Sequence, residues 1–525
     1  MTPNLARRAA AVALLLGAAL GAQAPAVEHR FALQLGDAGA RVTTTFPAAA
    51  GAVELRLPAW VPGSVTPAAG LLGGLEDLEA KTGAGAALSV TRGERGRVFT
   101  VQLAEKGTVQ VSYTVPLTGP KARPGLGRRN AFAVPGGAGP GAKPQQVRYH
   151  EAWLLHGATL CLCVSGCRDA KQRVTFTLPP PMSVIATCAA GAGPFEVANY
   201  DALVDSSFLV GTFEVQPLPD AGAGRRVALA GFGTDRARGP ELWAQLAQLV
   251  TLPEQGLGAA PGDPFTILLG RSSGPWTVVG HRGGLAAMSH SLRLSEGIRN
   301  AALRAAVRTR LRALQPPVDL AAPTGSTERW WIEGVEGYLA ALYSVRGGWA
   351  KPEHFWTREV SRRVNVWMQD RDRHACSLAA AGTTRDKRGP DLHNGGWLAC
   401  LLLDVEIRAS SGGAQSLEGA LRQLLAARHR ADEAAFRAAC NTAAGRSLAA
   451  FFAAYIDGTE ELPVTATFAK IGVEAAPLPV RAEPARPGSR RIPVASTRPP
   501  RWRVALLPGA AAAMTRLRDA ITAAR

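Results

Sequence analysis

The chain has 525 residues, a formal net charge of +18 and 47% hydrophobic residues. That length implies two to four domains with a sizeable core. The cations are nearly all arginine, are scattered through every segment, and form no nucleic-acid-reading motif interleaved with aromatics. A specific nucleic-acid partner is therefore not expected; a weaker option is an anionic surface bound through the arginines.

Residues 1–26 read as a secretion signal. Arg7 and Arg8 make a charged start, Ala9–Ala22 is apolar, and Ala22-Gln23-Ala24 is a small-residue cleavage site, with Ala24-Pro25-Ala26 as an alternative. No later stretch reaches the ~20 apolar residues that span a bilayer. The mature protein is expected in the periplasm or outside the cell.

From Val27 to Pro217 the pattern is strand-like. Apolar residues alternate in Arg30–Leu35, Val53–Leu57, Arg97–Leu103, Thr108–Val115, Thr159–Val164 and Arg173–Leu178, with Gly/Pro turns between. This predicts a β-sandwich-like domain over 27–217. Gly119–Lys143 reads as a loop or long hairpin. Of the seven cysteines, Cys161, Cys163 and Cys167 cluster without a fourth metal ligand nearby. Export permits a disulfide such as Cys167–Cys188. Cys376, Cys400 and Cys440 are expected as buried small apolar residues.

Residues 218–472 read differently. Phe265–Leu269 and Trp276–Gly280 look like strands. Helices are then predicted at Ser295–Leu314, Glu328–Val345, His354–Trp367, Gly396–Ala409, Ser416–Ala427, Asp432–Cys440 and Ser447–Tyr455, with Asp432 and Ser447 as N-caps. The fold class is α+β. Residues 473–525 make a Pro/Arg-rich linker or wrapping tail, with a short helix at Ala510–Ala523.

Several stretches, in order, resemble the M61 family of glycyl-aminopeptidase-like metallopeptidases. Leu57–Ser64 matches a PxWxPGS motif, and Ala202–Ser207 with Leu209-Val210-Gly211 matches an LVDSP…G segment. Gly283-Gly284-Leu285 opens a GGLEH motif. Trp330–Gly334 with Tyr338 matches WxxEGxTxYY. Gly396–Arg408 matches a KGALVALLLDLEIR helix, and Tyr455–Pro463 matches YVxGTEELP. The resemblance covers roughly 27–472. It implies that the β domain precedes a thermolysin-like, gluzincin catalytic domain, and that the family's usual C-terminal PDZ domain is replaced by the short tail.

It also implies a zinc site that this chain lacks in sequence. No HExxH occurs, and no two histidines lie four apart. The corresponding helix is Gly297–Pro317. Registered on its first proline, Leu303 and Val307 stand at the histidine positions and Arg304 at the glutamate; shifted by one, Arg304 and Arg308 stand at the histidines and Ala305 at the glutamate. Leu303, Val307, Leu311 and Leu314 form one apolar stripe.

Ala286 and Ala287 replace the motif's Glu-His, whose glutamate would anchor a substrate amino group. Leu392 and His393 replace a Tyr-Tyr pair, of which one hydroxyl would stabilise an oxyanion. His393 is expected in a loop without a partner. Glu333 is the surviving ligand position, and its expected role is to cap or to pair with an arginine such as Arg304 or Arg308.

No catalytic residue, bound metal or other cofactor is expected, zinc being the family's metal. The reading that follows is an exported pseudopeptidase that binds a peptide or an envelope protein. The alternative is an active metallo-aminopeptidase with a rearranged site drawing on His281, His290, His354, His374 or His393.

Overall fold

The computed structural model describes residues 27–34, 39–58, 75–93, 97–116, 152–189, 191–218, 224–231, 239–258, 265–271, 277–281, 283–289, 294, 296–314, 329–427, 432–477 and 502–506. Residues 1–26, read as a secretion signal, Ala59–Ser64, the loop expected at Gly119–Lys143, His290 and the helix expected at Ala510–Ala523 lie outside them. The chain divides into two compact units, with the break in the described chain at Thr212/Phe213.

The first unit is built of strands. A seven-stranded sheet runs, in spatial order, Phe195–Val197, Gln172–Thr177, Val27–Gln34, Gly39–Ala48, Gly107–Pro116, Glu76–Thr82, Ala87–Leu88. Four- and three-stranded sheets accompany it. The alternation read from sequence is what buries its core. In Gly107–Pro116, Val109, Val111 and Tyr113 are fully buried while their neighbours face away. Thr159–Val164 is not one strand: Gly157–Leu160 is a helical turn, and only Cys163–Val164 pairs.

The LVDSS motif is architectural. Asn199 caps the helix Tyr200–Val204 by accepting from Ala202 N at 2.9 Å. Ser206 Oγ donates to Ala202 O at 2.7 Å, and Ser207 Oγ meets His156 Nδ1 at 2.6 Å, all buried. None of the described cysteines is in a disulfide, so the Cys167–Cys188 pairing is not formed. Cys400 and Cys440 are fully buried, whereas Cys376 is half-buried.

The second unit has a five-stranded sheet ordered Phe213–Pro217, Arg225–Ala230, Phe265–Arg271, Gly284–Ser289, Thr277–His281. The second, third and fourth of these run parallel, and the two edge strands are antiparallel. The Gly-Gly-Leu segment leads directly into the parallel strand Gly284–Ser289.

Among the described residues, seven longer helices organise the rest, with shorter ones between: α1 Gly239–Leu257, α2 Glu296–Leu311, α3 Arg329–Arg346, α4 Ser361–Gln369, α5 Arg385–Ser410, α6 Leu417–Ala426 and α7 Glu433–Ala444. Helix α1 was not expected; Pro253 inside it hides the helical pattern, yet Leu246, Leu249, Val250 and Leu257 are buried. Helix α5 starts eleven residues before the predicted Gly396, which carries Leu392 and His393 out of a loop and onto a helix.

Asp432 caps α7 by accepting from Ala435 N at 2.8 Å, as its position suggested. Ser447 is not the cap of the next helix; Leu448 is, while Ser447 Oγ accepts from Ala449 N at 3.2 Å. The tail is not wholly a linker. Trp502–Leu506 pairs antiparallel with Val473–Pro477, and Asn365 of α4 holds Trp502 by both backbone groups at 2.8 Å.

Candidate functional site

Helices α2, α3 and α5 carry the positions that the zinc site of the resembled family would occupy. The apolar stripe of α2 is buried as expected, with Leu303 and Val307 at 0% exposure and Leu311 and Leu314 at 1%. The residues of α2 that reach polar groups on α3 and α5 are Arg304 and Arg308. Of the two registers, the one that substitutes arginines for the histidines therefore describes the polar face of this helix.

Arg308 grips Glu336 on α3 with a two-pronged ion pair, Nε to Oε1 at 2.8 Å and Nη2 to Oε2 at 2.5 Å. Both are buried, their side chains 13% and 1% exposed. Burial opposes the charge of Glu336, but Arg308, supported by Arg304 and Arg329, holds its carboxyl below the usual range. Glu336 stands where the WxxEGxTxYY pattern has threonine. It is the residue that sequence reading missed, and Arg308, one of the two arginines expected for Glu333, pairs with it.

Arg304 faces His393 on α5, with Nη2 3.2 Å from Nδ1 and Nη1 3.4 Å from Nε2. So His393 has a partner and is helical, correcting both expectations. Burial, and then Arg304, Arg363, Arg362 and Arg308, push its pKa down to about 2, so the ring is neutral. The segment is held from α4: Arg363 donates to His393 O at 2.8 Å, to Asn394 Oδ1 at 3.1 Å and to Glu359 Oε1 at 2.9 Å.

Glu333 is 2% exposed on α3. Leu392 is fully buried, as is Ala286 in the strand Gly284–Ser289. His374 lies elsewhere, on Thr459 O at 2.9 Å and Glu461 Oε2 at 3.1 Å. His281 is buried at the end of its strand, and His354 is half-buried in a separate helical turn. Among the described residues no group of three or more His, Cys, Asp or Glu could hold a metal ion.

Guanidinium groups have no lone pair to give a metal, and Glu336 is already spent on Arg308. The charge of Arg304, which interacts with Glu333 through space, further disfavours a divalent ion. These residues do not fit the family's zinc.

The remaining matched motifs hold helices together. A Cβ on Gly334 would lie 2.6 Å from the carbonyl carbon of Gly396, and one on Gly396 would lie 2.5 Å from Trp330 O. The two motif glycines thus let α3 and α5 touch backbone to backbone. Trp331 stacks on Phe436 of α7 with centroids 4.5 Å apart. Tyr338 donates to Asp404 Oδ2 at 2.6 Å; that carboxylate also takes Arg408 Nε at 2.8 Å and caps α6 through Leu417 N at 2.7 Å. Glu461 of the GTEELP stretch takes Arg373 Nη2 at 2.7 Å and Trp367 Nε1 at 3.2 Å.

A strand-built unit followed by a sheet-and-helix unit with these crossing helices is the fold of two-domain zinc aminopeptidases. An aminopeptidase N family protein from Idiomarina loihiensis shares it with a TM-score of 0.69 at 18% identity, over 86% of this chain and 79% of that one. An M1 zinc metallopeptidase from Deinococcus radiodurans matches with a TM-score of 0.51 at 13% identity, over 83% of this chain and 94% of that one. A variant of that enzyme bound to a Tyr-Ser-Ala substrate matches at 14% identity with the same TM-score and the same coverage of both chains.

Within this class, residues 34–212 match the Peptidase M61 N-terminal domain. The chain is therefore peptidase M61-like, as its motifs indicated. No curated protein matches it in sequence.

Proposed function

We propose that this chain is an exported peptidase M61-like protein that has given up catalysis and serves as a peptide- or protein-binding scaffold. The observation that carries the reading is the pair of arginines on α2. Arg308 is locked onto Glu336 and Arg304 is set against a neutral His393, on the helix faces where the resemblance places zinc ligands and a general base. An ion pair of this kind fills the space and supplies the charge balance that a metal would otherwise provide. Loss of the amine-anchoring glutamate at Ala286 points the same way.

Peptide is the ligand class favoured by the fold, since a protein sharing it holds a tripeptide substrate. Export is supported by the charged and apolar N-terminal pattern of residues 1–26. No helix among the described residues is long and apolar enough to cross a membrane. An envelope protein is accordingly a suitable partner.

The direct test is turnover of glycyl and alanyl p-nitroanilides by the purified mature chain with zinc supplied. The expected rate is that of buffer. Hydrolysis abolished by a chelator and by Glu333→Gln would instead establish an active metallo-aminopeptidase with a rearranged zinc site.

A further inference from the structure

Arg304 carries a charge that its bonded partners do not balance. Its terminal nitrogens face the two ring nitrogens of His393 at 3.2 and 3.4 Å. A neutral imidazole offers one acceptor lone pair, so it can take only one of those N–H groups. The buried Nε of Arg304 has no hydrogen-bond acceptor.

Carboxylates among the described residues do not fill the gap. Glu336 is forked by Arg308, and Glu359 is held by Arg362 and Arg363. Burial works against the charge of Arg304 and lowers its pKa, while Glu336 and Glu333 favour the charge through space, without a hydrogen bond to it. An Nε–H and an adjacent Nη–H, side by side, form the fork that a carboxylate fills with two parallel hydrogen bonds. Arg304 and His393 are each partly exposed as residues, while the Nε of Arg304 is itself buried.

We propose that Arg304 anchors an anion subsite that takes a carboxylate of a bound peptide, either its C-terminal carboxylate or an acidic side chain. The inference rests on the reading of the chain as a peptide-binding scaffold, and it gives that scaffold a ligand preference. Where the resembled family offers a glutamate to a substrate amino group, this chain has Ala286, and its charged anchor at the centre is a cation. The polarity of recognition is inverted.

The test is calorimetric titration of the mature protein with three capped peptides: acetyl-tetraalanine with a free carboxylate, the same peptide as its amide, and acetyl-Ala-Asp-Ala-Ala-amide. At least one of the two acidic peptides should bind about tenfold or more tightly than the neutral amide. Which of them does so identifies the source of the carboxylate. Arg304→Gln should erase the preference, while Arg304→Lys, which keeps charge but loses the fork, should retain part of it. Circular dichroism confirms that each variant is folded.

In parallel, the Nε–H resonance of Arg304, assigned by its disappearance in Arg304→Gln, should move on titration with acetate. Equal affinity for acid and amide with a static Nε resonance overturns the subsite and leaves the scaffold standing. An Nε that responds to acetate while no peptide binds keeps the anion subsite and sinks the scaffold. An acid preference untouched by Arg304→Gln overturns the assignment to Arg304.

Discussion

Glu336→Gln should destabilise the second unit by about 3–5 kcal/mol, the usual cost of removing one partner from a buried ion pair. The carboxylate is 1% exposed and takes two hydrogen bonds from Arg308, which is itself only 13% exposed. Glutamine keeps the shape but removes the carboxylate charge that Arg308 grips. Removing both charges, with Arg308→Met and Glu336→Leu together, should bring stability back to within about 1–2 kcal/mol of the parent, because a well-packed apolar pair has no desolvation cost to recover.

The pair is also acid-sensitive. Its carboxyl titrates lower in the folded protein than in the unfolded chain. Its contribution is therefore full above the ordinary glutamate pKa of about 4.3 and fades as pH falls through the lowered folded value. Urea unfolding of parent, single and double variants at pH 7 and through the acid range measures all of this. A single variant that loses under about 1 kcal/mol would show the ion pair to be incidental.

Gly334→Ala should cost about 3 kcal/mol, the upper end of overpacking penalties. The added methyl would sit 2.6 Å from the carbonyl carbon of Gly396 and 2.8 Å from Cys400 Sγ. The first of these is backbone of α5 and cannot rotate away, so the two helices must separate. They carry Trp330, Trp331 and Trp397 in the core, all fully buried. Gly419→Ala in α6 is the control: its methyl would meet only side-chain atoms at 3.5 Å or beyond. That change should be neutral or stabilising by about 0.5–1 kcal/mol. Thermal melts of the two variants separate a helix-crossing requirement from a general intolerance of alanine.

The Gly334–Gly396 contact also explains what the sequence could and could not convey. The motif glycines, Tyr338, Asp404 and the LVDSS segment are readable because each solves a packing or capping problem that survives without catalysis. Apolar alternation revealed five strands of the first unit, among them Val98–Leu103 and Gly107–Pro116, and the Leu303–Val307–Leu311 stripe located α2. Helix α1 escaped because Pro253 interrupts its pattern, and the true start of α5 escaped because Gly389 and Pro390 read as a loop.

Glu336 was legible in principle. It lies three residues after Glu333, on the same helix face, opposite two arginines spaced four apart on α2. A search for metal ligands passes over that complementarity because it looks for histidines. That Arg304 would meet His393, 89 residues away, depends on how α2 and α5 pack and is not encoded in local spacing.

The α2–α3–α5 centre is cross-linked either by arginine or by metal. The most direct measurement is the zinc content, by elemental analysis, of the mature protein purified without chelators from cells supplied with zinc. An arginine-filled centre predicts far less than one zinc per chain. About one zinc per chain, lost together with stability in Glu333→Gln, would contradict it and place a metal beside Glu333.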